Sequence, residues 1–220
     1  MDIERARFNM IEQQIRPWDV LDPAVLSLLA AVRREDFVPA AYRALAFMDT
    51  QVPLGHGQAM LEPRLEARLL QELQVQRHER VLEIGTGSGF MAALLGHRAQ
   101  QVVSLECVPA LAAEARARLQ HAGVANVDVR DVSAAQGAQG LPGEAPFDAI
   151  LLSGSVHDVP RALLEQLKTG GRLLAIVGDE PIMRARLFTR TGDAAWSSVD
   201  VFDTSAPRLQ GFEPAPRFVF

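Results

Sequence analysis

The 220-residue chain predicts an α/β fold: one mostly parallel sheet of seven strands, a helical extension before it and an antiparallel hairpin at its end. Three observations carry this prediction. Short apolar runs alternate with helical patterns between residues 80 and 178, the rhythm of parallel strands joined by crossover helices. The first run, Arg80-Val-Leu-Glu-Ile84, ends on an acid and an isoleucine and breaks straight into Gly85, Gly87 and Gly89, as a strand does before a ligand-binding turn and a helix. Beyond residue 183 the pattern becomes β-rich around Thr191-Gly-Asp193, which reads as a hairpin at the sheet edge.

Composition narrows the function classes. With 48% hydrophobic residues the chain can bury the core of one α/β domain over 1–220, divided into a helical extension and loop (1–76) and a ligand-binding sheet (77–220). The net charge is −5 and the isoelectric point about 5.6, with no run of Lys or Arg, so no nucleic-acid partner is expected. The single lysine, Lys168, reads as compositional bias. No apolar stretch approaches the roughly 18 residues of a membrane span. The opening Met-Asp-Ile-Glu-Arg-Ala-Arg does not resemble a leader, so a cytoplasmic location without membrane attachment is expected. Cys107 is the one cysteine, which excludes an internal disulfide and a thiolate metal cage.

Taken in order, residues 1–17 carry Phe8, Ile11 and Ile15 at helical spacing, and Pro17 stops the run. Asp22-Pro23 offers an N-cap and a first-turn proline for a helix over 24–32. Residues 33–39 form a polar turn before a short segment around Tyr42, and 49–63 form a loop rich in Gly and Pro. His56 reads as a turn residue shaping that loop rather than a base, because no acid or second histidine stands near it in sequence. Pro63 opens a helix with Leu65, Leu69, Leu70 and Leu73 on one face. Strands are expected at 80–84, 101–106, 126–131, 147–152 and 172–178, with helices over 90–95 and 109–121. A flexible surface loop is expected at 137–143, and a helix holding Leu163, Leu164 and Leu167 that Gly170-Gly171 ends. Asp158 is expected to cap that helix, in preference to an acid-base pair with His157.

The chemistry concentrates at the glycine turn. Alternate glycines remove every Cβ and let a ligand lie against backbone amides at the carboxyl edge of the sheet. The spacing is Gly-x-Gly-x-Gly, with Phe90 where the third glycine of a dinucleotide site would stand. Glu83 would repel a pyrophosphate and attract a cationic group, which favours S-adenosyl-L-methionine, whose methionine half carries an ammonium and a sulfonium. Glu106, at the end of the second strand, is placed to meet ribose hydroxyls. Asp131, at the end of the third, is placed to meet the adenine amino group. Cys107 reads as a small residue beside this ligand and not a nucleophile.

These residues resemble the protein-L-isoaspartate O-methyltransferase family, a branch of the S-adenosylmethionine-dependent class I methyltransferases with a Rossmann-like sheet. The similarity lies in Val81-Leu-Glu-Ile-Gly-Thr-Gly-Ser-Gly89, Pro53-Leu-Gly-His-Gly-Gln58, Asp36-Phe-Val-Pro39, Ala41-Tyr42 and Gln166-Leu-Lys-Thr-Gly-Gly171. It implies methyl transfer to a carboxylate of isoaspartyl residues in damaged protein, with no metal. It also implies cofactor contacts at Glu83, Gly85, Thr86, Gly87, Ser88, Gly89, Glu106, Cys107, Asp131 and Val132. The catalytic residues stay unassigned, with Gln58, Met60 and Leu61 as candidates on the substrate loop. The chain departs from the family where its Thr-x-Ser-x-Pro pattern becomes Ala59-Met-Leu-Glu-Pro63, losing both hydroxyls and adding Glu62 near where a carboxylate would dock. Its Gly-Asp-Gly becomes Asp131-Val-Ser133 after Arg130. A methyltransferase with another substrate and a cofactor-binding protein without turnover therefore stay open as alternatives.

Overall fold

The computed structural model describes residues 2–213. Its main sheet has seven strands. β3 (Arg80–Ile84) is central, with β4 (Gln101–Glu106) and β5 (Val127–Asp131) on one side and β6 (Phe147–Val156), β7 (Leu167–Asp179), β8 (Ile182–Gly192) and β9 (Ala195–Thr204) on the other. Strands β5 to β7 run parallel across the order β5-β4-β3-β6-β7, whereas β7–β8 and β8–β9 pair antiparallel. The order reverses between β3 and β6, so the carboxyl ends of the strands there open a crevice at a topological switch point.

Helices α4 (Phe90–Arg98) and α5 (Pro109–His121) return the chain between parallel strands. On one face of the sheet, Leu174 and Ile176 of β7 share a core with residues of α4, with Leu65, Leu69 and Leu73 of α3 (Pro63–Leu73), and with Ile15 and Leu29 from the extension. The other face buries Leu82, Val103, Phe147, Ile150 and Leu173 with Leu163 and Phe212. Full burial of each such side chain contributes roughly 1.5–3 kcal/mol, enough to hold the crevice walls rigid.

The structure differs from the expectations at several places. The opening helix α1 (Ile3–Met10) is capped by Asp2, then widens into a π turn at Ile11–Ile15 and tightens into a 3-10 turn at Arg16–Trp18. Phe8 faces solvent, and Arg7 and Met10 point inward in its place beside Ile11 and Ile15. Arg7 can be buried because Glu4 and Glu35 pair with it. Helix α2 (Pro23–Ala31) begins as expected, with Asp22 accepting from the Ala24 amide at 2.8 Å. Tyr42 lies in a 3-10 segment, Ala40–Leu45. The 49–63 loop contains a small hairpin, β1 (Val52–Gly55) with β2 (Gln58–Met60), turning through His56. His56 is exposed at this turn.

Two further expectations are corrected. The 137–143 stretch is partly helical: α6 (Ala134–Gln139) starts from a Ser133/Gln136 capping box, and a 3-10 turn follows at Pro142–Glu144. Helix α7 is a single turn, Arg161–Leu164, and Leu167 already belongs to β7, opposite Phe147. Gly170-Gly171 therefore lies inside a strand irregularity. A Cβ on Gly171 would stand 2.8 Å from the Lys168 carbonyl, so glycine serves close backbone approach here and not helix termination. Asp158 does not cap α7, because Pro160 stands at that position. It accepts from the Val159 amide instead, while His157 Nδ1 pairs with Asp179 at 2.8 Å.

Candidate active site

The glycine turn is tied to the neighbouring strand. The amides of Gly85 and Thr86 both donate to the Leu105 carbonyl, at 2.9 and 3.3 Å, which holds the turn open at the sheet edge. Gly85 adopts φ +95°, a conformation that side chains with a Cβ resist. Glu106 closes the other side. Its Oε2 accepts from the Gly87 amide at 2.7 Å, and its Oε1 from the amides of Cys107 and Val108 at 2.9 and 3.0 Å. The carboxylate is thereby fixed in the crevice with acceptor capacity left over.

Around this turn lies a cleft of about 720 Å³, counting its open mouth. The glycine turn from Gly85 to Ser88 forms one wall with Glu106 and Cys107, and Gln58 to Leu61 of the hairpin region form another. Val132, Ala134, Gly137, Met91 and Glu66 also border it. Of the residues expected to bind a cofactor, Gly85, Thr86, Gly87, Ser88, Glu106, Cys107 and Val132 border this one space, together with all three loop candidates, Gln58, Met60 and Leu61.

Glu83, Gly89 and Asp131 do not border the cleft. Gly89 stands at φ +87° as the residue before α4, where a Cβ would come within 3.2 Å of Ala115. Asp131 ends β5 opposite Glu106, with its side chain exposed. Glu83 is wholly buried, accepting from the hydroxyls of Ser104 at 2.6 Å and Ser153 at 2.7 Å. Because Ser104 spends its proton on Glu83, the 2.6 Å contact between Thr86 and Ser104 has Thr86 as donor. The acid expected to face a cationic ligand thus anchors the turn from below.

Sequence reasoning missed Glu66, which lies in the first turn of α3 and borders the cleft while only 4% exposed. Arg34, itself buried, pairs with Glu66 Oε2, donates to the carbonyls of Leu61 and Ala46 at 2.6 and 3.0 Å, and covers the Phe90 ring at 5.0 Å. Glu66 stands one turn before Leu70 on α3, and that spacing was the available signal. Glu62, expected near the acceptor, accepts from Gln51 at 3.2 Å and borders a neighbouring groove with Trp18 and Arg64. Residues 205–212, also missed, fold back along β6. The Ser155 amide donates to the Pro207 carbonyl at 2.8 Å, and the Leu209 amide to the Ser155 carbonyl at 2.9 Å, which brings Leu209 and Gln210 to the cleft.

Burial drives the Glu83 carboxyl up from the ordinary 4.5 to about 7 against the pull of both serines, and burial lifts Glu66 to about 7 against Arg34. A carboxyl raised on folding binds its proton more tightly in the native state. Its contribution to stability is therefore full below pH 4.5 and is lost as pH rises through 7. Glu83→Gln cannot titrate, so the fall in unfolding free energy between pH 5 and pH 7.5 should shrink by about 1 kcal/mol or more relative to the parent protein. Urea midpoints at the two pH values check this, and parallel falls in both proteins would refute it.

Among the described residues, no helix is long and apolar enough to cross a membrane. No group of three or more His, Cys, Asp or Glu among them is placed to hold a metal.

The comparisons with known proteins agree with this architecture. A family model described as Protein-L-isoaspartate(D-aspartate) O-methyltransferase matches residues 5–204. A protein-L-isoaspartate O-methyltransferase of Methanoculleus marisnigri is 42% identical over 174 residues, 79% of this chain and 78% of that protein. One of Koribacter versatilis is 38% identical over 216 residues, 97% of this chain and 95% of the other. A crystal structure described as a protein-L-isoaspartate O-methyltransferase of Plasmodium falciparum with S-adenosyl-L-homocysteine superposes with a TM-score of 0.77 at 18% identity, covering 96% of this chain and 99% of that one, a likeness of fold. Seven strands in this order, the glycine turn and these matches lead to one conclusion: the chain belongs to the protein-L-isoaspartate (D-aspartate) O-methyltransferase family.

Proposed function

We propose that the protein transfers the methyl group of S-adenosyl-L-methionine to the carboxylate of isoaspartyl residues in damaged protein. One observation carries this reading: a single cleft joins the glycine turn and Glu106 to the hairpin residues that stand in the family's substrate loop. The residues present suit the cofactor. The turn offers a cradle that a Cβ would fill, since a methyl on Gly85 would lie 2.6 Å from Leu209 Cδ2. Glu106 offers acceptor capacity for ribose hydroxyls, and Val132 and Gly137 offer apolar surface for a base.

When bound, the cofactor supplies an activated electrophilic methyl on its sulfonium. The acceptor carboxylate is already an anion at neutral pH, so no residue need remove a proton. The work left to the protein is to align acceptor and methyl and to exclude water, worth several kcal/mol of barrier when the geometry is held. Gln58 to Leu61 provide the acceptor side of the cleft, and Gly85 to Ser88 with Glu106 the cofactor side. The test is transfer of labelled methyl to an isoaspartyl peptide beside its aspartyl counterpart. Equal labelling of both, or of neither, would count against the assignment.

Glu106→Ala should weaken binding of S-adenosyl-L-homocysteine by roughly 1–3 kcal/mol, because it strips a ligand acceptor and orphans the three amides it holds. Calorimetric titration reads this directly, and an unchanged dissociation constant would remove Glu106 from the site.

Ala59 and Leu61 favour a second reading, a family methyltransferase acting on a different acceptor. Both border the cleft, neither side chain can hydrogen-bond a carboxylate, and Arg34 already occupies the Leu61 carbonyl. On the first reading, Ala59→Thr with Leu61→Ser should raise the initial rate on isoaspartyl peptide at saturating cofactor by roughly tenfold, about the worth of one or two oriented hydrogen bonds. Glu62→Gln should add little, since Glu62 borders the neighbouring groove. No gain in a variant that still binds cofactor would favour the second reading.

A further inference from the structure

A carboxylate was expected beside the glycine turn to receive a cationic group, but Glu83 is wholly buried, bonded to Ser104 and Ser153, and does not border the cleft. We propose that Glu66 receives the ammonium of the cofactor's methionine half, with Arg34 as the residue that holds its carboxylate in position. The inference rests on the cofactor assignment above.

The geometry points to Glu66 in three ways. It is 4% exposed yet borders the cleft. Its Oε2 is taken by Arg34, while Oε1 has no hydrogen-bond partner among the described residues. With Oε2 taken, Oε1 is the acceptor that this carboxylate can offer to a ligand in the cleft. Arg34, fixed by two carbonyls and the Phe90 ring, cannot swing away to leave Glu66 free.

Location selects the ligand group. Phe90 follows Gly89 directly and its ring lies under the Arg34 guanidinium, so the Arg34–Glu66 pair stands beside the start of α4. Two acids, Glu66 and Glu106, border the cleft, with the Arg34 guanidinium paired to Glu66. That excess attracts a monocation. A carboxylate acceptor brings none, whereas the methionine half of the cofactor carries an ammonium that can donate to Oε1.

The experiment compares two ligands by calorimetry: S-adenosyl-L-homocysteine, and 5′-methylthioadenosine, which keeps the adenosyl group and thioether but lacks the amino acid. Glu66→Gln should weaken the first roughly tenfold or more and leave the second within about twofold. Arg34→Met/Glu66→Leu replaces the buried pair by apolar groups, a change such sites tolerate, and should show the same split if the single variant folds poorly. Parent-like affinity for S-adenosyl-L-homocysteine in a folded variant, or equal losses for both ligands, overturns the inference. Failure of the parent protein to bind either ligand would instead overturn the cofactor assignment, and this inference with it.

Discussion

Arg34→Ala should lower the unfolding free energy by roughly 3–5 kcal/mol, the cost of leaving a buried charge without its partner. Arg34 is 1% exposed and joins three separately folded pieces: the Ala46 carbonyl after the 3-10 segment, the Leu61 carbonyl after the hairpin, and Glu66 on α3. Alanine would strand Glu66, orphan both carbonyls and uncover the Phe90 ring. Urea unfolding followed by circular dichroism measures the loss. The Arg34→Met/Glu66→Leu pair should recover most of it, because the two sites share one interaction and their effects are not additive. A loss below about 1 kcal/mol for Arg34→Ala would mean that water reaches Glu66 and replaces the guanidinium.

Gly85→Val should abolish measurable cofactor binding, a loss beyond about hundredfold, or roughly 2.7 kcal/mol. Two costs coincide. At φ +95° a β-branched residue is strained by roughly 1–3 kcal/mol. The new Cβ would also meet Leu209 Cδ2 at 2.6 Å, so the Leu209 side chain, which borders the cleft, or the turn itself must shift. Gly143→Ala is the control, since a Cβ there meets nothing within 4 Å. Titration with S-adenosyl-L-homocysteine should separate the two variants. Retained binding by Gly85→Val would show that Leu209 yields without disturbing the cradle.

The sheet and the glycine turn were legible because local chemistry decides them. An apolar run between breakers has few alternatives as a buried strand, and the turn needs glycines wherever it forms. Most errors arose where tertiary pairing overrides local preference. Leu167 looks helical beside Leu163 and Leu164, but pairing with Phe147 draws it into β7. Phe8 fits an apolar stripe, yet the π turn rotates the face and brings Arg7 inward to Glu35. Half of the cleft was hidden for a related reason. Glu66 declares itself only once Arg34 packs against it from 32 positions away, and Leu209 only once Ser155 binds its backbone. Glu83 shows the converse: its place in the motif is plain, while the two serines that shut it off come from neighbouring strands.

The returning segment also sets an order of events during synthesis. Gln58 and the glycine turn leave the ribosome long before Pro207, Leu209 and Gln210, which finish the same cleft. A nascent chain released only as far as β9 can pair its strands but still lacks one wall of the ligand space, so cofactor capture should trail sheet formation. The same dependence makes residues 205–212 the vulnerable joint. Strain applied there, by a fusion partner or by a nearby protease, would reach the cleft through Leu209 and the end of β6 through Ser155.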